Sequence, residues 1–178
     1  GKSSLFNRMM RSQQAIVARE AGTTRDRVVG KAAYHGHEFW LVDTAGLKPA
    51  EDEFEASIQE QITDASDAAD VILVVVDSTE YPSDEDRRVA KTALKSRKPV
   101  ILIANKTDLR GSLPTSEFLR LGIKSIIRTS AEHNSGISDA LDEICQHIPE
   151  KRQAEPSDVL KIALIGRPNV GKSSLFNT

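Results

Sequence analysis

Cysteine is nearly absent from these 178 residues: Cys145 stands alone, so no disulfide can form within the chain. It falls in step with Ile137, Leu141, Ile144 and Ile148 on a helical stripe, which marks it as a core residue rather than a nucleophile. Long apolar runs are missing too. The longest wholly aliphatic stretch, residues 71–76, is far too short to span a bilayer, and no leader peptide pattern stands at the start. Nor is there an excess of either charge. With 24 basic and 26 acidic residues the net charge is −2, giving no general attraction for nucleic acid or an anionic membrane, although a local basic patch stays open. A cytoplasmic globular protein is expected, with no membrane or DNA partner. A hydrophobic content of 39% and a charged content of 28% suit one ordinary domain with material to spare.

What is present is a repeat. Gly1-Lys2-Ser3-Ser4-Leu5-Phe6-Asn7 recurs as Gly171-Lys172-Ser173-Ser174-Leu175-Phe176-Asn177. The second copy completes the run Gly166, Arg167, Pro168, Asn169, Val170, Gly171, Lys172, Ser173, which fits Gly-x-x-x-x-Gly-Lys-Ser/Thr after an apolar stretch that reads as a strand. Polyphosphate needs a concave row of backbone N–H groups at a helix N-terminus, with glycines where a Cβ would obstruct. Lysine then reaches the outer phosphates, and the serine hydroxyl ligates magnesium. The first copy holds only the back half of this device: Gly1, Lys2, Ser3 and Ser4. A chain opening inside a motif is expected to be a piece of a longer one.

Apolar runs alternate with amphipathic stretches, predicting an α/β fold with a mostly parallel sheet covered by helices on both faces. Helices are expected over residues 3–11, 54–69, 83–96, 115–121 and 137–147. Strands are expected over 26–34 and 38–42 as a hairpin about His35-Gly36-His37, and over 70–77, 99–104, 124–128 and 159–165. Asp84, Glu85 and Asp86 behind Ser83 read as a capped helix start rather than a metal site. Residues 149–158, polar with two prolines, read as a linker between a domain over 1–148 and the opening of a second over 159–178.

Three motifs lie between the two loops. Asp43, Thr44, Ala45 and Gly46 follow a strand, where a carboxylate can hold magnesium through water and a glycine can offer its N–H to a γ-phosphate. Asn105, Lys106, Thr107 and Asp108 follow another. An aspartate there accepts N1–H and the 2-amino group of guanine, which adenine cannot reproduce, so discrimination on the order of 10⁴-fold is available. The stem of Lys106 can lie along the purine, Asn105 can tie this loop to the phosphate loop, and Ser130-Ala131 can offer a backbone N–H to the guanine carbonyl. In Ala21-Gly22-Thr23-Thr24-Arg25-Asp26 a threonine hydroxyl can complete the magnesium shell when a γ-phosphate is present.

In this order and spacing the set resembles the translation-factor class of GTPases. Gly-Arg-Pro-Asn-Val-Gly-Lys-Ser-Ser-Leu-Phe-Asn together with Gly-Thr-Thr-Arg-Asp resembles its TrmE-Era-EngA-like branch, and one G domain plus a second phosphate loop resembles the branch's bacterial members with tandem G domains. The resemblance implies a P-loop NTPase (Ras-like) fold, GTP/GDP and Mg2+ as ligands, hydrolysis of GTP, and a role in large ribosomal subunit assembly with the ribosomal subunit as partner. It makes Gly1 to Ser3 part of the first phosphate loop, Thr23 and Thr24 switch I with Thr24 on the metal, and residues 43–47 switch II. Leu47 stands where many such enzymes carry the glutamine that orients water, so intrinsic turnover should be slow. Relatives often use K+ held by the phosphate-loop asparagine, here Asn169. Lys2, Thr24 and Gly46 are then the catalytic candidates.

Three alternatives stay open: an Era-like or MnmE-like GTPase, a polypeptide that binds nucleotide weakly, because the strand and half-loop before Gly1 are missing, and a circular permutant. In the last, residues 159–165 fill the vacant central strand, in the same chain or by exchange between chains.

Overall fold

The computed structural model describes residues 2–11, 16–19, 28–43, 68–148 and 160–165. The linker and the helix expected over 54–69, apart from its last two residues, lie outside them. The described residues form helix α1 (Lys2–Arg11), strands β1 (Ile16–Arg19), β2 (Val28–Tyr34), β3 (His37–Asp43) and β4 (Val71–Asp77), and helix α2 (Asp84–Lys95). There follow strand β5 (Val100–Asn105), a 3₁₀ helix (Thr115–Leu121), strand β6 (Ser125–Arg128), helix α3 (Ile137–Gln146) and strand β7 (Leu160–Ile165).

One sheet takes all seven strands in the order β1-β2-β3-β7-β4-β5-β6. The last strand in sequence is therefore the middle strand in space. β7 pairs in parallel with β3, Leu41 opposite Ile162 and Asp43 opposite Leu164, and on its other side in parallel with β4, Val71 opposite Ile162 and Val74 opposite Ile165. Of the two placements expected for this segment, the sheet has the one between β3 and β4. β4 to β5 and β5 to β6 are also parallel, and β1, β2 and β3 form an antiparallel wing.

Burial follows from this order. Every residue of β4 is buried, because a parallel strand with neighbours on both sides and helices on both faces meets no water. Side chains alternate between two apolar layers: Ile162 and Leu164 join Phe39, Leu41, Val71 and Leu73 on the face covered by α1 and α3, while Ala163 and Ile165 join Ile72, Val74 and Leu102 on the face covered by α2 and the 3₁₀ helix. Helix α1, built from the first copy of the repeat, contributes Leu5, Phe6, Met9 and Met10. Two copies cannot share that face; the second lies outside the described residues.

Local chemistry fixes the element ends. Ser83 caps α2 in a capping box: the Asp86 N–H donates to Ser83 Oγ at 3.1 Å and the Ser83 N–H donates to Asp86 Oδ2 at 2.9 Å, so the acidic cluster does serve as a cap. The β2–β3 hairpin turns on His35 and Gly36, both with positive φ (47° and 85°), the two-residue loop whose twist matches paired strands. Strand β1 was not expected from sequence. Cys145 is half-buried at the margin of its stripe, Sγ 3.9 Å from the Tyr34 carbonyl, rather than within the core.

Because Leu164 is fully buried between α1, β3 and β4, Leu164→Ala should cost about 2–5 kcal/mol, read as a lowered urea midpoint with unchanged slope. A loss below about 1 kcal/mol would be incompatible with a central β7.

Candidate functional site

β3, β7, β4 and β5 run the same way, so their carboxyl ends share one edge of the sheet. Asp43 closes β3, Asp77 closes β4 and Asn105 closes β5, and all three are buried polar residues at the ends of apolar strands. Asp77 sits opposite Asn105 in register. Polar groups buried in this way need partners, and their partners build the site.

The loop after β5 is stitched to the loop after β6. Asn105 Oδ1 accepts from the Ala131 N–H at 3.0 Å and from Thr129 Oγ1 at 3.1 Å. Thr107 donates twice to the Thr129 carbonyl, from its N–H at 3.1 Å and its hydroxyl at 3.0 Å. Between them, Lys106 is held in the left-handed region with φ +71°, an uncommon conformation for a non-glycine residue that is retained where the surroundings fix it. Lys106 Nζ donates to Asp77 Oδ2 at 2.5 Å, and Asp77 Oδ1 accepts from the Thr79 N–H at 3.0 Å and hydroxyl at 2.7 Å. Burial pushes the Asp77 carboxyl up, but the hydrogen bonds from Lys106 and Thr79 outweigh it and hold the group below the ordinary carboxylate range.

Asp108 lies at the rim of the same loop, its side chain 18% exposed and Oδ2 3.6 Å from His133 Nε2. The Ser130 hydroxyl donates to it and is the main reason that its carboxyl is held low, with the charges of His133 and Lys106 assisting. The loop presenting Ser130 is closed by reciprocal bonds, Ser130 N–H to the Ser135 carbonyl at 2.9 Å and Ser135 N–H to the Ser130 carbonyl at 3.1 Å. Gly136 ends this loop with φ +69°, and a Cβ there would meet the Arg128 carbonyl oxygen at 2.0 Å. Arg8 then reaches across from α1: Nε donates to the Ala131 carbonyl at 2.7 Å and Nη2 to the Glu132 carbonyl at 2.6 Å.

The sheet thus gathers Asp43, Asn105, Lys106, Thr107, Asp108, Ser130 and Ala131 on one edge, while Lys2, Ser3 and Ser4 form the first turn of α1, Lys2 being buried. Gly1, Thr23, Thr24, Thr44, Ala45, Gly46 and Leu47 lie outside the described residues. So do Gly166, Arg167, Pro168, Asn169, Val170, Gly171, Lys172 and Ser173. One expectation changes. The N–H groups of Ser130 and Ala131 are used within the protein, on Ser135 and Asn105, and Ser130 acts on Asp108 through its hydroxyl instead. Sequence reading also missed Asp77 and Arg8. An acid ending a wholly apolar strand is a usable signal for the first; a basic residue in an amphipathic helix gives none for the second.

A mostly parallel sheet with an Asn-Lys-x-Asp loop at its carboxyl edge is that of a P-loop GTPase domain. The sequence pattern of the family described as 50S ribosome-binding GTPase matches residues 1–106 and 161–178, and the chain belongs to that family. It is 44% identical over 180 residues to GTPase Der of Gemmatimonas aurantiaca, covering 99% of this chain and 41% of that protein. GTPase Der of Bacteroides fragilis is 46% identical over 182 residues, with the same coverage of 99% and 41%. The chain therefore spans about two-fifths of the length of these curated relatives. Among solved structures, the G domain of the T. maritima FeoB iron transporter superposes with a TM-score of 0.61 at 25% identity, covering 83% of this chain and 91% of that one.

The depressed carboxyl of Asp77 sets a pH dependence. Its stabilising contribution is complete above the unfolded value of 3.8 and is lost as pH falls through the lower folded value. Asp77→Asn should therefore be less stable than the native chain at pH 7, by on the order of 1–3 kcal/mol, with the gap narrowing below about pH 4. Urea unfolding across that range checks this, and a gap independent of pH would contradict it.

Proposed function

We propose that the chain binds guanine nucleotide along the carboxyl edge of its sheet and hydrolyses GTP to GDP and phosphate, as a switch acting on the large ribosomal subunit. The observation that carries this reading is the position of β7. The residue after Ile165 is Gly166, so the phosphate-binding sequence leaves the sheet between Asp43 and the Asn105 to Asp108 loop, on the edge where α/β proteins take their ligands. That placement also argues against a nucleotide-binding-impaired module, because the central strand is supplied from within the chain.

Each residue then has a task. Asp108, kept ionised by Ser130, accepts the two donors of the guanine edge, and the Lys106 stem, fixed by Asp77, lies against the ring. Asn105 holds the neighbouring loop in register through Ala131. Lys2 opens the helix packed on this sheet, so it reaches the outer phosphates in preference to Lys172. The oxygen donors Asp43, Thr24 and the serine of the phosphate loop, Ser3 or Ser173, suit a hard divalent cation, and buried Asp43 stands beside Leu164 at the root of that loop. Mg2+ bound there would neutralise developing phosphate charge. The N–H of Gly46 faces the γ-phosphate in this scheme, and Leu47 leaves water to be oriented by other groups. K+ held by Asn169 would supply the positive charge that an arginine finger provides elsewhere. The relatives named GTPase Der and the ribosome-binding description of the family support the ribosomal part of the reading over an Era-like or MnmE-like role.

A direct titration with GTP tests the site. Asp108→Asn and Lys2→Ala should each lower affinity about 100-fold or more, and Lys172→Ala by much less. Undiminished affinity in Asp108→Asn would sink the guanine assignment. Exchanging Na+ for K+ at constant ionic strength should raise the rate of phosphate release, and equal rates would remove Asn169 from the scheme.

A further inference from the structure

Between Arg87 and Lys98 the chain carries six basic residues and no acidic one. Helix α2 turns its Val89, Ala90 and Ala93 into the sheet and leaves Arg87, Lys91 and Lys95 in a row on its outer side, four residues apart. That row borders a groove of about 420 Å³ between α2 and the 3₁₀ helix, where Arg120 and Leu121 form the other wall and Leu94, 42% exposed, lies between the cations. Arg87 is tied to Asp84 and Arg120 to Glu117, each within its own element. Lys91 and Lys95 have no carboxylate partner among the described residues.

Helix-dipole compensation does not account for the row. It favours cations in the last turn, which explains Lys95, but Arg87 stands near the opposite, positive end. A row of cations about 6 Å apart, at a rise of 1.5 Å per residue, is instead commensurate with successive phosphates of a nucleic-acid strand. The groove has no aromatic wall for base stacking, and its unpaired donors are ammonium groups rather than guanidinium forks, so it is suited to backbone rather than base edges. We infer that the groove between α2 and the 3₁₀ helix docks the phosphate backbone of structured RNA, independently of base sequence. This rests on the ribosomal part of the proposed function, since it is there that the chain would meet RNA.

The Lys95 end of the groove lies away from the nucleotide edge. The chain leaves α2 through Ser96 to Pro99 into the start of β5, and the Pro99 carbonyl accepts from Ile72 at the start of β4, so the Lys95 end of the helix lies at the amino edge of the sheet. RNA and nucleotide can therefore be held together.

The test is fluorescence anisotropy of the full chain with a short, mixed-sequence RNA duplex over a series of salt concentrations. Lys91→Gln/Lys95→Gln should weaken binding about tenfold at low salt and flatten the plot of log affinity against log salt by about 1.8, two phosphate contacts' worth. Arg11→Gln/Lys31→Gln, which removes the same charge elsewhere on the surface, should do neither, and both variants should keep native GTP affinity and thermal stability. An unchanged salt slope in Lys91→Gln/Lys95→Gln would overturn the proposal, as would equally tight binding of poly-glutamate or of anionic lipid vesicles. Co-sedimentation with 50S subunits separates the two readings. Duplex binding through Lys91 and Lys95 without pelleting on 50S would overturn the ribosomal reading alone, and undiminished pelleting of Lys91→Gln/Lys95→Gln would overturn the groove alone.

Discussion

The parallel pairing of β7 with β3 on one side and β4 on the other is the interaction on which the rest depends. It joins an antiparallel wing, β1 to β3, to a parallel half, β4 to β6, that otherwise have no strand contact in the sheet. Its side chains serve both apolar layers at once, Ile162 and Leu164 under α1 and α3, Ala163 and Ile165 under α2. Apolar burial contributes roughly 25 cal/mol per Å², so a strand buried on both faces and hydrogen-bonded on both edges is among the most stabilising segments of a small sheet. The same pairing aligns the carboxyl ends of four strands. Site and core are two consequences of one placement.

The polar network at that edge is anchored at the ends of strands packed on both faces. Asn105 and Asp77 are the last residues of strands packed on both faces, and they fix in turn the loop beyond each strand. Lys106 accepts a left-handed backbone, a conformation that costs free energy and persists because Asp77 takes its head group and Thr107 is tied down on the next residue. Arg8 extends the restraint to α1, so the helix that opens with Lys2 and the loop that carries Ser130 are fastened together across 123 residues of sequence separation. Preorganisation of this kind lowers the ordering cost that a ligand must otherwise meet on binding.

Much of this was legible beforehand, for physical reasons that differ by element. A short apolar run rich in β-branched residues, such as residues 71–76, reads as a strand buried on both faces, and Ser83 with Asp86 announces a helix start through hydrogen bonds that are local in sequence. The motif residues were legible because each sits at the end of such a run. Strand β1 escaped because four residues at a sheet edge carry little pattern, and their pairing with β2 is a tertiary choice. The partners of Asp77 and Arg8 escaped because hydrogen bonds between residues far apart in sequence leave no periodicity to detect. For the segment now seen as β7, composition said strand but could not say which sheet. Only the vacancy between β3 and β4, a property of the whole fold, decides that.

Charge is distributed with the same logic as the strands. A net charge of −2 over the whole chain conceals a separation along α2, where Asp84, Glu85 and Asp86 crowd the first turn and the basic residues follow. The acidic end is accounted for by capping and by the helix dipole, so it needs no ligand. Within the basic run Arg87 is paired with Asp84 and Lys95 suits the last turn, but Lys91 and Lys95 lack a carboxylate partner among the described residues. Ammonium groups brought together without counter-charges repel, and the repulsion is tolerated at a surface where water screens it. A polyanion laid along the groove would replace that repulsion with attraction while displacing condensed counterions, a gain that overall composition cannot reveal. Because the Lys95 end of the groove lies at the amino edge and the loops proposed to take the nucleotide lie at the carboxyl edge, the seven-stranded sheet would carry any coupling between the two.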